Sequence, residues 1–293
     1  MDIETGGVYP KINRNTRCMI VVSSCDAYSD VWDLLFESLL VQWPDRPYPV
    51  LLCTESKTYD YKSMGIITLP MNELEKKKEW GGRLKAHLHK MTSEYVLFLL
   101  DDFILTDKVN NAQLDVCMTW LDRHQDISVF YFWPINQGKH YIPDSRFPGF
   151  AEIGIDSDYR FNCQAAIWRR TDLIECLRDF ENPWQWEFYG TERSRRLNKR
   201  LYAVELDGPK VFSYSNGGII RRGLFTDEAG VLYEKYNLPM PATRGLWDKN
   251  DPYRKAEEYN WREHFPADLL TPRFAKEILR RLFEKARYYR SIF

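Results

Sequence analysis

Two adjacent carboxylates, Asp101 and Asp102, follow directly on the six apolar and aromatic residues Tyr95-Val96-Leu97-Phe98-Leu99-Leu100. A short apolar run with no turn residue inside it predicts a strand buried on both faces, as at the centre of a parallel sheet. Open α/β sheets gather their ligands at the carboxyl ends of the strands. A carboxylate there is costly to desolvate unless a cation or a metal meets it. The pair therefore reads as a site; the plainer alternative is that one acid caps the next segment and the other faces water. Two more acids end apolar runs: Asp26, after Cys18–Val22 and Ser23-Ser24-Cys25, and Glu55, after Val50–Cys53 and Thr54. Basic residues follow glycine pairs twice. Arg83 and Lys85 come after Gly81-Gly82, where a predicted helix start offers free backbone N–H groups to an anion. Arg221 and Arg222 come shortly after Gly217-Gly218. For both pairs the alternative is a solvated face.

The elements that must position these residues alternate between strand and helix. Residues 18–22, 49–55, 65–69 and 95–100 read as strands. Residues 31–43 carry a helical stripe at Val31, Leu34, Leu35, Leu39 and Trp43, and a basic helix is expected over 83–91. A helix over 112–124 and a strand over 127–133 follow. Residues 134–159, rich in Gly, Pro and Asp, predict a long irregular insertion, either mobile or substrate-facing. A strand over 161–168 and a helix over 171–177 with Thr171 as N-cap come next, then strands over 201–206 and 210–214. The pattern predicts an α/β protein with a mixed, mostly parallel sheet flanked by helices. Residues 17–225 are expected to form the main domain. Residues 226–293 are expected to form a helical C-terminal extension.

Composition sets the outer limits. The 293 residues suffice for one large α/β domain with an appended part, and 44% hydrophobic with 28% charged residues suits a sizeable core. A net charge of −1 leaves any phosphate recognition to local clusters, and the scattered basic residues argue against nucleic-acid binding. The six cysteines show no paired spacing for zinc and sit mostly in apolar stretches, which predicts reduced, buried thiols. Lacking a signal pattern or a spanning apolar run, the chain is expected in the cytoplasm. Residues 272–293 form a basic amphipathic helix that would pack on the domain or touch the inner face of a membrane.

The order of these parts resembles the GT-A fold glycosyltransferases, in particular the inverting family 2 type of bacterial surface-polysaccharide assembly. The matching stretches are Val21–Asp26, Val50–Glu55, Gly81–Lys85 and Glu94–Asp102, with Cys163–Arg170 and Trp186–Leu197 further on, over about Arg17 to Arg200. One departure stands out. The family motif is Asp-x-Asp, whereas here Phe103 falls where the last acid would be. Adjacent residues of a regular strand face opposite ways, so both acids reach one metal only if the chain turns at Asp101. Either Asp102 alone takes the metal, or basic residues neutralise the diphosphate.

The resemblance implies transfer of a sugar from a nucleotide-sugar donor, UDP-linked by family habit, to a saccharide or lipid-linked acceptor. Mg²⁺ or Mn²⁺ would sit on Asp102 with Asp101 as second ligand, because hard cations favour oxygen ligands. Arg83, Lys85, Arg221 and Arg222 would help neutralise the diphosphate. Ser23, Asp26 and Glu55 would contact base or ribose. Inverting transfer needs a carboxylate to take the acceptor's proton. Glu187, set among aromatic residues near Gly190, is preferred, with Glu192 second because Thr191-Glu192-Arg193 reads as a solvated turn. Trp184 and Trp186 would stack on an acceptor sugar, unless they are core. Two other readings remain. A nucleotidyltransferase is disfavoured because Ser23-Ser24-Cys25-Asp26 lacks the Gly and Lys of a phosphate loop. A non-catalytic glycan- or nucleotide-binding relative is compatible with the missing third acid.

Overall fold

A computed structural model describes residues 17–215, 217–248 and 283 of the chain. The chain divides into two units after Arg244, and the description concerns the first. Its apolar runs form β1 (Cys18–Ser23), β2 (Val50–Leu52), β3 (Ile67–Thr68), β4 (Tyr95–Leu100), β5 (Ile127–Tyr131), β6 (Tyr141–Pro143), β7 (Phe150–Ile153), β8 (Ala166–Arg169) and β9 (Arg200–Val204). These make one nine-stranded sheet in the order β3-β2-β1-β4-β8-β5-β9-β7-β6. Strand β1 runs parallel to β2 and β4, β2 to β3, and β5 to β9. Strand β8 enters antiparallel between β4 and β5, and β7 is antiparallel to β6 and β9. The expected α/β fold, a mixed sheet flanked by helices, is what forms. β1 and β4 pair along their whole length, Cys18 opposite Tyr95 through Ser23 opposite Leu100. That register brings the Ser23 and Leu100 ends level.

The main helices are α1 (Trp32–Gln42), α2 (Glu73–Lys76), α3 (Trp80–His89), α4 (Asn111–Arg123) and α5 (Arg170–Cys176). Two short pieces, α6 (Pro183–Gln185) and α7 (Thr191–Ser194), flank a π-helical turn at Trp186–Gly190. A hairpin of β10 (Ile220–Arg221) and β11 (Leu224–Phe225) precedes α8 (Asp227–Lys235). Strand alternation sorts the core into two layers. Cys18, Ile20 and Val22 of β1 pack with Leu35 and Leu39 of α1, Leu114 and Leu121 of α4, and Leu232 of α8. Met19 and Val21 face the other way, with Leu84 and Leu88 of α3 and Leu173 of α5.

Three local expectations change. Residues 134–159 are not an irregular insertion throughout: β6 and β7 pair there and extend the sheet edge. Pro143 sits on β6 at the edge, where the missing N–H costs no ladder bond. Residues 210–214 make no strand, only an isolated bridge between Leu105 and Tyr214. The residue preceding α5 is Arg169, and no side chain caps that helix, so Thr171 lies inside it. Of the expected C-terminal extension, residues 226–248 are described and include α8, whereas the basic helix expected over 272–293 lies outside the described residues, Phe283 apart. Among the described residues no helix is long and apolar enough to cross a membrane.

Candidate active site

Strand β4 ends at Leu100, and the chain turns at once, with the Phe103 N–H donating to the Leu100 carbonyl (3.4 Å). This is the bend that two adjacent acids need to share one region. Asp101 is buried at 7% exposure and accepts a hydrogen bond from Ser24 Oγ, whose own oxygen accepts from Trp32 Nε1 (2.8 Å). Asp102, 9% exposed, accepts the Ile219 N–H (3.2 Å) on its carbonyl, and the Ile220 backbone beside its carboxylate favours the charged form. Burial first, and then the neighbouring Asp102 charge, push the Asp101 carboxyl well above the usual carboxylate range. Burial pushes Asp102 up to about 7. Neither acid has an ion-pair partner among the described residues. The Arg244 charge reaches Asp101 only at a distance, so two desolvated carboxylates with no ion-paired counter-charge are what a cation would stabilise.

Phe103, standing where the family's last acid would be, is core: 3% exposed and stacked on Tyr214 at 4.3 Å. Among the described residues no group of three or more His, Cys, Asp or Glu is placed to hold a metal ion. The Asp101–Asp102 pair fits a divalent cation by charge and by oxygen donors, provided that other oxygens complete its coordination.

The loop after Tyr214 closes against this pair. Gly217 and Gly218 both have positive φ (82° and 73°), and a Cβ on Gly218 would collide with the Asp102 carboxylate. Only glycine allows both that conformation and that approach. The same loop leads into the β10–β11 hairpin, which carries the exposed Arg221 and Arg222. Arg244, which sequence reading passed over, fastens this region. Its guanidinium bonds both Asp30 oxygens (2.8 and 2.9 Å), the Ala27 carbonyl (2.9 Å) and the Gly223 carbonyl (3.1 Å). It also lies 4.3 Å from the Tyr28 ring centre. Only a lone Arg in a Pro- and Gly-rich stretch marked it in the sequence.

Glu187 stands on the π-helical turn, a rare geometry that is frequent at functional sites. Its Oε1 accepts the Cys163 N–H (2.9 Å). Burial raises the Cys163 thiol first, and the Glu187 and Asp102 charges raise it further. Strand register gives the link between the two regions: Phe98 of β4 pairs with Ala166 of β8, so the segment that holds Glu187 enters β8 beside the end of β4 from which Asp101 and Asp102 leave. The second-choice base separates from them: Glu192 is exposed and ion-paired with Arg195 (2.9 Å). The tryptophans also part. Trp184 is 68% exposed, whereas Trp186 is 1% exposed and stacked on Phe161 (5.2 Å), so it is core and no acceptor platform.

The β1–β2 side corrects several assignments. Asp26 accepts N–H groups from Glu55 (3.0 Å), Ser56 (2.9 Å) and Lys57, while Glu55 accepts the Asp26 N–H. The two acids staple their loops together, which leaves the Asp26 carboxylate engaged with backbone. Ser23 Oγ is held by Trp80 Nε1 (2.9 Å) and is buried. Arg83 donates to the Lys78 carbonyl (2.9 Å) and lies 3.5 Å from Glu55. With Ser23, Ser24, Glu55 and His87 it lines a cavity of about 10 Å³, room for one water. Lys85 is not in this group: it projects into a separate groove of about 330 Å³ with Lys78, His89 and Lys90. The helix start at Gly81-Gly82 is no anion cradle either. The Gly81 N–H donates to the Glu181 carbonyl (2.9 Å), and a Cβ there would strike the Arg178 carbonyl. The glycines serve close packing against residues 178–181.

No family model matches the chain, and no curated protein matches it. Among solved structures it is similar to S. aureus TarS 1-349, at 15% identity and a TM-score of 0.44 over 68% of this chain and 60% of that one. The same fragment in complex with UDP-GlcNAc gives 17% and 0.42, over 68% and 58%. A cytidylyltransferase from Leptospira borgpetersenii gives 10% and 0.39, over 68% and 82%. The chain spans about 60% of the TarS fragment's length.

Proposed function

We propose that the protein transfers a sugar from a nucleotide-sugar donor to a saccharide or lipid-linked acceptor, with inversion. The observation that carries this reading is that Asp101 and Asp102 leave the end of β4 where the segment entering β8, which holds Glu187 by the Cys163 N–H, pairs alongside. A leaving diphosphate gains negative charge and needs a counter-charge, and an acceptor hydroxyl needs a base. Asp101 and Asp102 would hold Mg²⁺ or Mn²⁺, which supplies that counter-charge to the diphosphate. Arg221 and Arg222, on the hairpin whose Ile220 backbone lies beside Asp102, would close over the phosphates. Arg83 would serve the nucleoside end, beside Ser24 and Glu55. Glu187, held by the Cys163 N–H, would take the proton from the acceptor hydroxyl, and exposed Trp184 would offer the acceptor a stacking face.

Calorimetric titration with UDP, GDP, CDP and dTDP, each with and without Mn²⁺, tests the reading. Binding of one diphosphate that strengthens with Mn²⁺ is the expected result. Binding that ignores Mn²⁺ would keep the transferase and shift the leaving-group role to the arginines. No binding of any of them would sink the function while leaving the fold.

A further inference from the structure

The segment Asn162-Cys163-Gln164 bridges the two halves of the candidate site. Its Cys163 N–H holds Glu187. Its Gln164 side chain is held from the other side by Tyr214, whose buried ring stacks on Phe103 next to Asp102. Tyr214 Oη accepts the Ala165 N–H (3.1 Å) and donates to Gln164 Oε1 (2.9 Å), so the oxygen end of the amide faces Tyr214. The Gln164 N–H is in turn taken by Asn162 Oδ1 (3.0 Å), so the backbone at this position is pinned as well. The –NH₂ end of the side chain has no protein partner among the described residues, and on this half-buried residue it reaches the solvent-facing side.

A half-buried amide with its oxygen locked and its two donors unspent is arranged to recognise an acceptor oxygen. We infer that Gln164 Nε2 donates a hydrogen bond to an oxygen of the transferred sugar, between Glu187 and Asp102, and so helps select the sugar moiety of the donor. This rests on the transferase reading above. Gln164 then discriminates the nucleotide sugar from the bare nucleoside diphosphate, because only the former carries a sugar oxygen to meet that amide.

The test compares wild type, Gln164→Met and Gln164→Glu by calorimetry. The probes are whichever of UDP, GDP and dTDP binds the wild type, and its hexose conjugate UDP-glucose, GDP-mannose or dTDP-glucose. Met keeps the length and loses both donors, whereas Glu keeps the shape and replaces donors by an acceptor. The expected result is unchanged affinity for the diphosphate and about 3- to 10-fold weaker binding of the conjugate in both variants, the size of one net hydrogen bond. A wild type that binds no diphosphate would end the parent reading. A wild type that binds both ligands, with variants that bind both equally well, would overturn the role of Gln164 alone. Equal weakening of diphosphate and conjugate would overturn it too, since a disturbed fold or a nucleotide contact would then explain the loss.

Discussion

At the scale of single residues, carboxylates divide by what already occupies them. Asp26 spends its oxygens on three backbone N–H groups, and Glu192 on Arg195, so both are structural. Asp101 and Asp102 are buried with no ion-pair partner among the described residues, and that imbalance singles them out. Asp102→Ala is expected to lower transfer by about 100-fold or more, the order seen when a group that stabilises developing charge is removed. Unchanged turnover in that variant would dismiss the strand-end site. Glu187→Gln should bind the donor as wild type does and lose transfer, because the amide keeps the shape but cannot take a proton. Full activity would move the base elsewhere. Gly218→Ala should cost about 1–3 kcal/mol through its left-handed backbone and also disturb Asp102. A denaturation midpoint equal to wild type would show that the loop gives way freely.

At the scale of elements, the π-helical turn and the glycine-led helix show how local geometry serves different ends. The turn at Trp186–Gly190 buries Trp186 against Phe161 and presents the neighbouring Glu187 to the Cys163 backbone. The Gly81-Gly82 start of α3 admits the 178–181 backbone, and the buried Arg193–Glu181 pair (2.8 Å) anchors the same loop from the other side. Gly81→Ala should therefore destabilise the protein by about 1–3 kcal/mol, as overpacking does. Urea denaturation would read this directly. If the helix start were instead an anion site, the variant would weaken diphosphate binding with little loss of stability.

At the scale of the whole molecule, stability depends on groups kept neutral inside the two core layers. His87 of α3 is fully buried, and burial lowers its proton affinity below the ordinary value of 6.5. The unfolded chain then binds the proton more readily than the folded one. The His87 contribution is present above about pH 6.5 and is lost as pH falls through 6.5 towards the folded value. His87→Gln, which does not titrate, is expected to lose less stability than wild type between pH 7.5 and 5.5, by an amount of order 1 kcal/mol. Parallel pH profiles for both proteins would contradict this.

The amino-acid pattern by itself determined the strands β1, β2 and β4, the helices α1 and α4, and the acids that end the strands. Apolar runs and helical stripes are local, and each is readable from a few residues in a row. It also pointed to Glu187, through its aromatic setting, as the residue proposed for the base. Only the tertiary structure decided which of the candidates meet. The β6–β7 edge hid behind turn-forming residues, because edge strands tolerate Pro and need little apolar sequence. Arg83 and Lys85, two residues apart, ended on different faces of one helix, so spacing alone could not tell that only Arg83 faces Glu55. Arg244, Gly218 and Gln164 act through contacts made across the chain with Asp30, Asp102 and Tyr214. Those contacts depend on chain closure, which no local pattern encodes.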